Sequence, residues 1–125
     1  MQNQKSAIGL DGNVTALIGY IIGIIALVEI FIEKDNRFVR FHAIQSVIFH
    51  VAMWVVFIVV WIVVVVLGII LAFVHLGAIV SILAVLIFLG WFLIYFGGII
   101  MGAIKSFQGA MFKLPIIGNM AEKWT

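Results

Sequence analysis

From Val47 to Ile104 the chain runs 58 residues without one Asp, Glu, Lys or Arg. As a single helix at 1.5 Å per residue, that stretch would extend about 87 Å, against a hydrocarbon core of roughly 30 Å. It must therefore fold back, and its one convincing break is His75-Leu76-Gly77. The break predicts two transmembrane helices, near 46–74 and 78–104, both long enough to tilt. Val55 to Val66 is rich in β-branched residues and would suit a strand in water. In lipid every backbone group needs an internal partner, and that favours helix.

Composition leads to the same class. Hydrophobic residues make up 66% of the chain and charged residues 10%, where soluble domains carry about 45–50% and about 25%. The lipid bilayer is thus the first expected partner. A net charge of +2, with the cations flanking apolar runs, provides no extended basic face for nucleic acid. The absence of cysteine excludes disulfides, thiolate metal sites and cysteine nucleophiles.

Upstream lies a third apolar run, Val14 to Ile32, which follows the turn-like Asp11-Gly12-Asn13 and carries charge only at Glu29. Its nineteen residues suffice for a crossing. A secretory signal has a shorter core of about 7–15 residues and a small-residue cleavage site. This run ends instead in Glu33-Lys34-Asp35-Asn36-Arg37, so it should be retained. The expectation is an all-α polytopic integral membrane protein with three transmembrane helices in a single domain, 1–125. Its spans are 14–32, 46–74 and 78–104, with a basic loop at 33–45 and an interfacial tail at 105–125. Three crossings place Lys34, Arg37, Arg40, Lys105, Lys113 and Lys123 on one side and Lys5 on the other. The bias of cations toward the cytoplasm then puts the N-terminus outside and the C-terminus inside the cell membrane. In the tail, Lys113-Leu114-Pro115 forces an extended or turn conformation, so the last helix should end before it.

Chemistry-bearing residues concentrate at the start of the second span. At about 100° per residue, His42, Gln45, Ser46 and His50 share an arc of roughly 140°. Two readings fit this polar stripe: interhelical hydrogen bonding, or a polar vestibule contacting a substrate. His42 and His50 stand about 12 Å apart along a helix, too far to share one ion, and His75 lies roughly 37 Å beyond His50. No metal site or cofactor is expected. Glu29 sits at lipid depth, where an ionised carboxylate needs a partner, and Arg37 or Arg40 could clasp it with paired hydrogen bonds. Gly19-x-x-x-Gly23 and Gly98-x-x-x-Gly102 are small-residue motifs that let helices approach closely, within one chain or between copies. No nucleophile with its base, phosphate-cradling loop or zinc-protease motif is present, so no enzymatic activity is expected.

Gly9-Leu10-Asp11 with Asn13, the stretch from Glu33 to Ser46, and FKLPIIGNMAEK from Phe112 to Lys123 together carry a resemblance. On these residues the chain resembles the family of small prokaryotic membrane proteins related to the Tic-twenty subunit of the chloroplast inner-envelope import translocon. The plant relatives have four spans and are associated with protein passage across a membrane. The resemblance implies a non-catalytic accessory or assembly component in protein transport or membrane insertion, with a membrane-protein partner or a homo-oligomer as its setting. The alternative is a small oligomeric solute or ion transporter.

Overall fold

The computed structural model describes residues 4–125, so the first three residues of the polar lead fall outside the described residues. Five helices follow in order: α1 (Gly12–Ile21), α2 (Gly23–Ile32), α3 (Arg37–Ala72), α4 (Gly77–Phe107) and α5 (Ile117–Lys123). They divide into two compact units. One comprises the residues up to His50 together with Gly97–Thr125, and the other is Val51–Phe96.

Two helices, α3 and α4, are long and apolar enough to cross a membrane. The first apolar run departs from the single span expected of it. It breaks at Ile22, whose φ of −120° and ψ of 93° leave the helical region. Ile22 N–H closes α1 on Ile18 O, and Ile22 O opens α2 by accepting from Ile25 N–H. The two ten-residue helices then fold back on each other. A Cβ placed on Gly19 would lie 3.3 Å from the Ala26 Cβ and 2.8 Å from Glu29 Oε2; in a continuous helix Gly19 and Glu29 would stand about 15 Å apart. The ends of this hairpin also meet, because Ala7 N–H donates to Glu33 Oε2 at 2.7 Å and Asn36 Nδ2 donates to Gln4 O at 3.0 Å. Each arm rises about 15 Å, half the thickness of the hydrocarbon core.

Helix α3 begins where Asn36 caps it, its Oδ1 accepting from Val39 N–H. Much of the stretch expected as a loop, 33–45, is therefore helix. Helix α4 ends in a Schellman turn: Gly109 takes a φ of 80°, Gly109 N–H reaches Ser106 O, and Ala110 N–H reaches Lys105 O. Beyond it the tail runs extended to Pro115. There Ile116, at φ 65° and ψ −53°, forms a tight γ-turn closed by Ile117 N–H on Pro115 O.

The second unit is a helical pair. Its arms meet through Trp54, Phe57, Phe88, Trp91 and Tyr95, whose neighbouring ring centroids lie 4.9–6.3 Å apart. Trp91 Nε1–H donates to Met53 O at 2.8 Å. Toward the His75 turn the pair opens into an apolar groove of about 390 Å³. Its outward faces carry Val, Ile, Leu, Phe and Trp.

Candidate functional site

The first unit is built on a polar core. Thr15, Glu29, Glu33, Asn36, His42, Gln45, Ser46 and Ser106 are all buried. Three of them, His42, Gln45 and Ser46, belong to the α3 stripe, and the spacing of the stripe determines what each one meets. Ser46 and His50, four residues apart, face the same way. Ser46 Oγ donates to Gly19 O at 2.8 Å and His50 Nε2 donates to Tyr20 O at 3.1 Å. In an unbroken helix those carbonyls would accept from Gly23 and Ile24. The break at Ile22 removes that arrangement, and α3 supplies replacement donors. Gly23 permits the approach, since a Cβ there would stand 3.0 Å from the His50 ring.

One turn earlier, His42 and Gln45 face Tyr20 and the tail. His42 Nε2 must donate to Ala110 O, at 2.9 Å, because a carbonyl only accepts. In the neutral ring Nδ1 is then the acceptor, taking the Tyr20 O–H at 2.8 Å. Gln45 Nε2 in turn donates to the Tyr20 oxygen at 2.6 Å and to Phe112 O at 2.9 Å, while Gln45 Oε1 accepts Leu114 N–H at 2.9 Å. Residues 110, 112 and 114 thus present alternate backbone groups of an extended segment to α3, as a strand would to its neighbour. Gly118 closes against the same amide, and a Cβ there would lie 2.9 Å from Gln45 Oε1.

The two motif glycines of α4 receive rings. Gly98 faces Phe49 and Gly102 faces Tyr20, each so closely that a side chain could not be added without displacing the ring. Gly19 and Gly23 admit Glu29 and His50 in the same way. All four glycines make contacts within the chain.

The expected clasp of Glu29 by arginine is absent among the described residues. Arg40 Nη1 is occupied by Ile30 O and Glu33 O, both at 3.1 Å, where it satisfies the carbonyls at the end of α2. Arg37 is exposed. Sequence reasoning missed Tyr20, the hub of the network, and Glu33, whose carboxylate binds Ala7 N–H and Asn36 N–H. It also missed the Lys113–Glu122 ion pair at 2.5 Å, in which Lys113 holds the Glu122 carboxyl below its ordinary range, first through the hydrogen bond and then through its charge. Among the described residues no group of three His, Cys, Asp or Glu could hold a metal ion.

These features define a small all-helical membrane protein in which a polar unit is built from a broken helix, the start of α3 and the tail. The chain belongs to the magnetosome magnetite crystal formation protein family, whose model matches residues 5–121. It is 35% identical over 123 residues to a UPF0132 membrane protein of Methanocaldococcus jannaschii, covering 97% of this chain and 94% of the relative. A UPF0132 membrane protein of Archaeoglobus fulgidus is 28% identical over 114 residues, 89% of this chain and 92% of the relative. No solved structure matches the chain.

Proposed function

We propose that this chain is a non-catalytic integral membrane protein that acts through association, as an accessory or assembly component in its membrane. The observation that carries the reading is how the α3 stripe is used. His42, Gln45 and Ser46 spend their hydrogen bonds on Tyr20 and on the backbone at Gly19, Ala110, Phe112 and Leu114. These contacts hold a tail and a hairpin, whereas nucleophilic catalysis needs a nucleophile poised against a base. The outward apolar faces of the second unit suit lipid or the helices of a partner, either a second copy or another membrane protein. Protein transport or insertion as the process served rests only on the expected kinship with small prokaryotic proteins related to the plant translocon subunit. The family description concerns formation of a mineral crystal, and an association role at a membrane is compatible with it.

The hairpin also revises the topology. We infer two crossings, by α3 and α4, with α1 and α2 entering and leaving the same face. Lys5, Lys34, Arg37, Arg40, Lys105, Lys113 and Lys123 then share one side, and the His75 turn on the other has no Lys or Arg. The cation rule makes the shared side cytoplasmic.

One observation favours the second reading, an oligomeric solute or ion transporter. The break at Ile22 makes α1 and α2 a broken helix, a recurrent element of transport sites, although here Ser46 and His50 occupy the Gly19 and Tyr20 carbonyls. Crosslinking and pulldown from native membranes, run beside flux assays in liposomes, separates the two. Reproducible partners without flux support association, and substrate-dependent flux without partners overturns it.

A further inference from the structure

Glu29 is 1% exposed, and both of its carboxylate oxygens lack a hydrogen-bond partner, a condition no other buried side-chain nitrogen or oxygen among the described residues shares. It sits where the hairpin closes, with Oε2 in the space that a Cβ on Gly19 would fill. An ionised carboxylate there loses its hydration and gains no donor in exchange.

Every titratable group around it is otherwise engaged. On α1, the Tyr20 hydroxyl serves His42 and Gln45. After α2, the Glu33 carboxylate accepts from two backbone N–H groups and offers Glu29 no donor one turn away. On α3, Arg40 binds carbonyls, His42 binds Tyr20 and Ala110, and His50 binds Tyr20 O. A metal cation would find one carboxylate and little else, because Gly19 O and Tyr20 O already accept from Ser46 and His50. A proton needs neither a cavity nor a coordination sphere.

We propose that Glu29 is a proton-binding site sealed by the α1–α2 hairpin. With the hairpin closed, the side chain is a neutral carboxylic acid. When the hairpin opens, the O–H bond breaks, the proton passes to water and the carboxylate is hydrated. Alkaline conditions therefore favour the open hairpin. The site stands whether the hairpin enters lipid or lies at its surface.

The test uses the full chain in lipid nanodiscs. Infrared spectroscopy at neutral pH should show a protonated-carboxyl stretch that disappears in Glu29→Gln. Since the chain has no cysteine, spin labels on Ile8→Cys and Phe31→Cys report hairpin closure cleanly. Their separation should grow as pH rises, and in Glu29→Gln it should stay short over the same range. Should the Gln variant fail to fold, Glu29→Asp should shift the frequency of the stretch. Absence of the stretch at neutral pH, an identical pH response in the Gln variant, an unmoved stretch in the Asp variant, or closure that depends on added Na⁺ or K⁺ at fixed pH would each overturn the proposal, the last by making the ligand a metal ion.

Discussion

The ring of Tyr20 fills the space that a side chain at position 102 would need: a Cβ on Gly102 would stand 2.6 Å from its Cδ1 and 2.8 Å from its Cζ. Tyr20 also carries the hydroxyl shared by His42 and Gln45. Packing between α1 and α4 and hydrogen bonding to the tail therefore meet in one side chain. Gly102→Leu should displace the ring and lower stability by about 1–3 kcal/mol or more. Gly98→Leu should act similarly through Phe49, while Leu93→Val, on an exposed face, should stay within about 0.5 kcal/mol. Thermal unfolding in detergent measures all three, and equal tolerance would remove the packing argument.

Gln45 holds the tail from both sides of its amide, through Phe112 O and Leu114 N–H. Gln45→Leu leaves Phe112 O and Leu114 N–H without that partner, at a cost of about 1–3 kcal/mol for each group left buried. Faster hydrogen exchange at the Leu114 amide and easier proteolysis between residues 108 and 116 should follow. Unchanged protection at Leu114 would show that the tail is held by something else.

The two arginines should separate sharply. Arg40→Ala removes a charged donor from Ile30 O and Glu33 O and should cost about 1.5–3 kcal/mol. Arg37→Ala, at an exposed position, should cost under about 1 kcal/mol. Since neither arginine pairs with Glu29 among the described residues, adding Glu29→Gln to Arg40→Ala should restore nothing. Recovery of stability in that double variant would reinstate the clasp.

Sidedness distinguishes two crossings from three. Cysteines at Ile8 and Lys123, both exposed, should react with an impermeant thiol reagent from the same face, and a cysteine at Leu76 from the opposite one. Labelling of Ile8 and Lys123 from opposite faces would return α1 and α2 to a single span.

Much of this was legible from charge and hydropathy, because a 58-residue uncharged run leaves a chain few options. The polar stripe on α3 could be read from its angular spacing alone. Its partners could not, since Gly19 O, Ala110 O and Phe112 O are backbone atoms that leave no mark on composition. The hairpin was hidden for a related reason. Ile22 is an apolar, β-branched residue in an apolar run, and the Gly23 beside it reads with Gly19 as a packing motif instead of a break. What permits the fold-back is small residues at a distance: Gly19 against Ala26 and Glu29, and Gly23 against His50. The motif read as room for close helix approach also makes room for a carboxyl group and an imidazole.

The donors that satisfy the break at Ile22 come from Ser46 and His50, more than twenty residues later in the chain. During synthesis, then, the first apolar segment leaves the ribosome before the groups that satisfy its bend do. A nascent chain ending near Asn36 should adopt the unbroken helix that composition favours and expose its N-terminus to the far side, detectable with an N-terminal glycosylation tag. The complete chain should leave that tag unmodified. On the two-crossing topology, the segment that fixes the final orientation is thus one that follows the segment it reorients.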